Sequence, residues 1–128
     1  MVEVAAAIIR KEGRILICRR GAGGSCAFKW EFPGGKREAG ETMQACAERE
    51  CLEELGLTIR VTEQFGQVAH RYPDRKVSIC FFLAECTGGA LHTYVHEQVR
   101  WVRPEELMGY DFCPADEEIL RRLSKHDG

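Results

Sequence analysis

The chain opens with an apolar run at residues 4–9, answered by a second at residues 15–18 across the polar Lys11-Glu12-Gly13 turn. Two short runs rich in Val, Ile and Leu around such a turn predict a β-hairpin over residues 2–9 and 14–18. From Arg20 to Gly35 the pattern dissolves into glycine-rich sequence broken by Pro33, which predicts a surface loop of functional length in which Trp30 and Phe32 need cover. Helical spacing returns over residues 42–55. Ala47, Cys51, Leu52 and Leu55 form the apolar stripe expected to bury, and Gly56 stands where a left-handed C-cap residue belongs. Residues 61–72 alternate weakly, Pro73-Asp74-Arg75 makes a turn, and residues 77–85 form a strongly apolar strand, together a second hairpin. After a Gly88-Gly89 break come a short strand at 99–102, a helical turn at 104–108 and a final helix at 114–123. That helix carries Asp116, Glu117 and Glu118 early and Arg121, Arg122 and Lys125 late, as the helix dipole favours. The order β-β-loop-α-β-β-β-α predicts the α/β class, with a mixed sheet and helices packed on it.

Composition narrows the function classes. With 128 residues, 45% of them hydrophobic, one domain over residues 1–128 is expected. The longest apolar runs, residues 4–9 and 79–84, are far below the ~20 residues of a membrane span. Glu3 precedes the first apolar run and Arg10 and Lys11 follow it, the reverse of a secretory signal, so a cytoplasmic location is expected. Eighteen Lys plus Arg against 20 Asp plus Glu give a net charge of -2, too weak a field for a nucleic acid polymer but no bar to small anions. The seven cysteines are odd in number, lack zinc-ligand spacing and sit mostly among apolar neighbours, so core packing is their expected role.

The helix at 42–55 carries the chemistry. At about 100° per residue, Glu53 and Glu54 fall within about 60° of Glu50, so three carboxylates share one arc. Like charges at these spacings cost an isolated helix a few tenths of a kcal/mol each, and something must offset that repulsion. Two readings are open at this point: a solvated face partly neutralised by Arg49, or a site for a hard divalent cation such as Mg²⁺ or Mn²⁺. Glu48 falls within the apolar stripe, and nothing in the sequence accounts for it.

The upstream spacing bears on that choice. Gly35, five residues, Glu41, seven residues, Arg49-Glu50-Cys51, one residue, Glu53-Glu54, one residue, Gly56-Leu57 resembles the Nudix box, G-x5-E-x7-R-E-U-x-E-E-x-G-U, in which U is a bulky aliphatic residue. The single departure is Cys51 at a U position. The wider chain is similar to the MutT branch of that family. The likeness runs through Cys18-Arg19-Arg20, Trp30-Glu31-Phe32-Pro33-Gly34-Gly35, Tyr72-Pro73-Asp74-Arg75 and Phe112-Cys113-Pro114-Ala115-Asp116.

The resemblance implies the Nudix fold, an α/β/α sandwich with a mixed β-sheet between helices. It implies a Mg²⁺-dependent pyrophosphohydrolase, with Mn²⁺ as a substitute, that cuts a nucleoside triphosphate into monophosphate and pyrophosphate and clears modified nucleotides such as 8-oxo-dGTP or altered CTP and dCTP. By the same resemblance Glu50, Glu53, Glu54 and the Gly35 carbonyl hold the metal, Arg49 orients the glutamates, and Glu41 supports them. Glu50 is one candidate base, and Glu97, before the strand at 99–102, is a second candidate base or ligand. Arg20 resembles an arginine that meets phosphate and Arg75 one near the base, though each also reads as a surface charge. Asp116 reads either as a reader of the base edge or as the N-cap of the last helix. Phe32 and Tyr72 read either as base-stacking or as core aromatics. A nucleoside triphosphate is the expected partner, with the chain acting as a monomer or a homodimer. The competing functions are hydrolysis of ADP-ribose or another nucleotide sugar, suggested by Pro73 sixteen positions after Leu57, and a catalytically silent nucleotide-binding module.

Overall fold

The computed structural model describes residues 1–125. In chain order its elements are β1 (Val2–Lys11), β2 (Arg14–Arg19), β3 (Trp30–Glu31), β4 (Gly34–Lys36), α1 (Met43–Leu55), β5 (Leu57–Tyr72), β6 (Arg75–Gly89), β7 (Gln98–Val102) and α2 (Glu117–Lys125). Short 3-10 turns occupy Pro104–Gly109 and Pro114–Asp116. The first hairpin turns through Glu12 and Gly13, both with positive φ, as a two-residue loop between twisted strands demands.

Ala5, Ala6, Ala7, Ile8 and Ile9 are all buried. Ala6 and Ile8 point into one core with Ile15, Ile17, Phe81, Ile119 and Leu123, while Ala7 and Ile9 point into a second with Leu16, Cys51 and Leu55. A strand covered on both faces reads as an unbroken apolar run, which is why residues 4–9 show no alternation. One face is covered by α1 and the other by α2, giving the expected α/β/α sandwich. β6 runs parallel to β1 from Val2↔Val77 to Arg10↔Glu85, and the strand order is β3-β2-β1-β6-β5 with β4 beside β1 and β7 beside β2. The sheet is therefore mixed. Six of the seven cysteines are buried, in keeping with a packing role. Among the described residues no helix is long and apolar enough to cross a membrane.

The expected loop at residues 20–35 is the main difference from the sequence reading. β1 and β2 pair at Arg10↔Ile15 and Lys11↔Arg14 and then part. Into the split run β3, against β2 at Cys18↔Glu31 and Arg19↔Trp30, and β4, against β1 at Val4↔Lys36, Ala5↔Gly35 and Ala6↔Gly34. Between them the Ala7 N–H donates to the Pro33 carbonyl at 2.8 Å. Two strands of two and three residues carry too little periodicity to be seen in sequence. β5 begins at Leu57 rather than 61, and its register slips at Thr58/Ile59, Val61/Glu63 and Gln64/Gly66, which accounts for the weak alternation. The last helix opens as the Pro114–Asp116 turn before α2 begins.

α1 is capped as its sequence indicates: the Thr42 hydroxyl accepts from the Ala45 N–H at 3.0 Å, and Gly56 closes it at φ 74°. Its buried face, however, is rotated. Relative to Cys51, Leu52 lies about 100° to one side and Glu50 about 100° to the other. β4 covers the Glu50 side, so Cys46 is buried there and Leu52 is left 55% exposed. Leu52 is thus no part of the core stripe, and Glu48 is only partly covered.

Gly34 sits so close to β1 that an added Cβ would meet the Ala5 carbonyl and, at 2.7 Å, the Ala6 Cα. Backbone cannot yield as a side-chain tip can, so Gly34→Ala should cost about 2 kcal/mol or more of stability in a denaturant titration. Unchanged stability would mean that the split between β1 and β2 is loosely filled.

Candidate active site

The rotation of α1 brings its acidic arc against β4. The Glu50 carboxylate lies over Gly35, at a place where an added Cβ would collide with it. Glycine is required here by approach, since a side chain would push the carboxylate off. Cys46, one turn earlier, donates its thiol to the Gly35 carbonyl at 3.4 Å. Glu50 and Glu54 have side chains only 15% and 16% exposed, whereas Glu53, on the outer edge, is 59% exposed.

One guanidinium holds this ridge. Arg49 Nε and Nη2 donate to the two oxygens of Glu41 at 2.6 and 3.0 Å, and Nη1 donates to Glu50 at 3.2 Å and Glu53 at 3.0 Å. A further bond from Nη2 reaches the Lys36 carbonyl at 3.1 Å, tying helix to β4. This two-point grip is the geometry in which Arg exceeds Lys. Through the Arg49 hydrogen bond first, Glu41 is held down to about 2, and the arginine is in turn raised.

Glu54 is left out of that grip. Its Oε1 is buried with no hydrogen-bond partner. Burial first, then the Glu50 and Glu31 charges, push its carboxyl up to about 8, against the pull of the Gly34 N–H. An orphaned buried carboxylate oxygen, two neighbouring carboxylates and a backbone carbonyl make an all-oxygen donor set that fits a hard divalent cation. Among the described residues no three acidic, His or Cys side chains already converge as an ion cage, because Arg49 draws Glu50 and Glu53 to itself.

Beside the ridge opens a cavity of about 520 Å³, walled in part by Gly34, Gly35 and Glu54. Arg20, Phe32, Tyr72, Arg75 and Asp116, all singled out in the sequence, line it too. Arg20 Nη1 pairs with Glu31 at 3.1 Å. The Arg75 guanidinium lies 5.7 Å from the Tyr72 ring centroid, and the Tyr72 hydroxyl is 3.7 Å from the Cys26 thiol. Phe32 is a core aromatic, buried between Phe81 and Phe112, that gives the cavity an edge. Asp116 is buried, and Cys113, not Asp116, occupies the N-cap of the turn before α2. Burial, and after it the Glu31 charge, push the Asp116 carboxyl well above the usual range, opposed by the Phe32 N–H and Arg20. That favours a protonated acid, which both donates and accepts.

Glu97 is not brought to the ridge. Its carboxylate pairs with Arg19 Nη1 at 2.6 Å, and its own N–H donates to the Arg19 carbonyl. The preceding residue, His96, points inward instead, with Nε2 3.0 Å from Glu31 and 4.0 Å from Glu54. Neither His96 nor Glu31 was singled out as a site residue in the sequence. Glu31 lay within the Trp30–Gly35 likeness, and His96 was one register step from the residue chosen.

A glutamate-bearing helix packed on a glycine-bearing strand, within a mixed sheet between helices, defines the class: the chain belongs to the Nudix hydrolase family, and a NUDIX domain profile matches residues 4–122. It is 35% identical over 125 residues to the 8-oxo-dGTP diphosphatase of Escherichia coli strain K12, covering 97% of each chain. Its identity to the CTP pyrophosphohydrolase of the same organism is also 35%, over 120 residues, covering 94% of this chain and 89% of that protein. The crystal structure of the MutT protein from Methanosarcina mazei Go1 superposes with a TM-score of 0.86 at 27% identity, covering 98% of this chain and 94% of that one. Its relatives are thus MutT-like, and enzymes of this family use divalent metal ions.

The raised Glu54 carboxyl carries a stability signature. In metal-free protein its charging is resisted by the fold, so stability is full below the ordinary value of 4.5 and is lost as pH rises through about 8. Glu54→Gln removes that penalty. With a chelator present, variant and parent should melt alike near pH 5, and the variant should melt a few degrees higher at pH 8–9, on the order of 1 kcal/mol. A gap that does not widen with pH would refute the buried charge.

Proposed function

We propose that the chain hydrolyses nucleoside triphosphates to the monophosphate and pyrophosphate, with Mg²⁺ as its ion and Mn²⁺ as a substitute, and so clears modified nucleotides such as 8-oxo-dGTP or altered CTP and dCTP from the pool. The observation that carries this reading is the half-buried Glu54 on the wall of a cavity that Arg20 and Arg75 also line, with Glu50 beside it against Gly35. Carboxylates and cations sharing its wall suit a polyphosphate with its counter-ion and the attached base. The names of the two relatives at 35% identity, an 8-oxo-dGTP diphosphatase and a CTP pyrophosphohydrolase, point to the same substrate class.

Glu50, Glu53 and Glu54, with the Gly35 carbonyl, would hold the ion. Bound there, the ion neutralises the phosphate oxygens that otherwise repel an attacking water. Arg49, itself fixed by Glu41, aligns Glu50 and Glu53 before the ion arrives. Glu50 takes the proton of the attacking water, since it lies against Gly35 on the ridge while Glu97 is turned away to Arg19. Arg20 contacts a phosphate through the donors that Glu31 leaves free. Tyr72, under the Arg75 guanidinium, offers a face for the base, and Asp116 reads the base edge from the cavity wall.

Product analysis tests this reading. Incubated with Mg²⁺ and ordinary triphosphates, modified triphosphates or ADP-ribose, the protein should release pyrophosphate from a triphosphate. Two monophosphates from ADP-ribose would favour a nucleotide-sugar hydrolase, and no turnover of any compound would favour a binding module. Glu53→Gln should lower turnover by roughly 100-fold or more with the fold intact, because it removes one charge from a crowded ridge. Full activity would contradict its metal role.

A further inference from the structure

Among the described residues, His96 and Asp116 are the buried polar side chains, and the proposed reaction leaves His96 without a task. Two anchors fix where it stands. The Glu97 N–H bonds the Arg19 carbonyl at 2.9 Å, and the Glu97 carboxylate bonds the Arg19 guanidinium, so the chain entering β7 is pinned to the end of β2. His96 is thereby driven inward, between Glu31 and Glu54. Its Nε2 meets the Glu31 carboxylate at 3.0 Å, and its Nδ1 is buried without a partner. The other oxygen of Glu31 accepts from Arg20 Nη1 at 3.1 Å, while Arg20 Nε is buried and unpaired. The orientation of the Arg20 guanidinium therefore depends on Glu31, and that of Glu31 depends on His96.

We propose that His96 is a positioning residue for nucleotide binding: its imidazole holds the Glu31 carboxylate on the Arg20 side of the cavity and away from Glu54, so that Arg20 presents its guanidinium to a phosphate of the substrate. The proposal rests on the reading of Arg20 as a phosphate contact. A neutral imidazole with its proton on Nε2 suffices, because that N–H donates to Glu31. Without it, Glu31 would keep Arg20 as its one partner, turn into the space the imidazole leaves, and carry Arg20 with it.

The test combines steady-state kinetics with calorimetric binding of an α,β-methylene triphosphate analogue, which is not turned over. His96→Ala should raise both KM and the analogue Kd about tenfold and leave kcat within about threefold. His96→Gln, whose amide nitrogen reaches the place of Nε2, should bind within about threefold of the parent. On an Arg20→Ala background, His96→Ala should change Kd by less than about twofold, since the two act as one unit. A structural role alone would lower the melting temperature and leave Kd unmoved, or make Gln as harmful as Ala, and either result overturns the proposal, as do additive losses with Arg20→Ala. Weak binding by Arg20→Ala with normal binding by His96→Ala sinks only the His96 role. Normal binding by Arg20→Ala removes the phosphate contact and the His96 role together. Should His96→Ala fail to fold, His96→Leu, which keeps most of the buried volume and has no donor, puts the same question, and the same rise in Kd is expected.

Discussion

One guanidinium keeps the acidic ridge together. Glu41, Glu50 and Glu53 all accept from Arg49, and without that cation three carboxylates would repel one another beside the half-buried Glu54. The grip is rigid because it is two-pronged on Glu41 and because Nη2 also reaches the Lys36 carbonyl, so that helix, loop and strand share one anchor. Arg49 balances part of the negative charge and leaves Glu54 unanswered. Its unpartnered oxygen, on the wall of the cavity, suits a hard cation.

The sheet makes this arrangement reachable. Because β1 and β2 part after their turn, the segment carrying Glu31, Phe32, Gly34 and Gly35 runs through the split instead of over the surface. Trp30 exchanges backbone bonds with Asp111 and Cys113, which draws the Pro114–Asp116 turn against β3 and brings Asp116 to the same cavity as Glu31. Gly34 then lets β4 lie against β1, and Gly35, with no room for a side chain, lets α1 lie against β4. The acidic ridge and Asp116 are thus joined through one short stretch of chain, and His96 stands between its Glu31 and Glu54 of the helix.

Much of this was legible in the sequence, for local reasons. The caps of α1, Thr42 and Gly56, and the spacing of Gly35, Glu41, Arg49, Glu50, Glu53 and Glu54 are short-range signals, and the structure gathers those residues at one place. What was not legible depends on contacts far apart along the chain. Leu52 looked like a core residue because helical arithmetic does not say which flank β4 covers. Glu97 looked like a ligand, yet its backbone bond to Arg19 turns it outward and His96 inward. The pairing of His96 with Glu31 spans 65 positions, and no periodicity announces it. Asp116 could be read two ways because its neighbours on β3 arrive from the split that the sequence concealed.

The central claim is that the ridge of Glu50, Glu53 and Glu54 takes a divalent ion together with a nucleotide. The most direct measurement is anomalous diffraction from crystals soaked with Mn²⁺ and a non-hydrolysable triphosphate analogue. The account predicts a manganese peak bordered by those glutamates and the Gly35 carbonyl, with the analogue in the adjoining cavity. A ridge free of manganese while the analogue binds elsewhere on the protein would contradict it.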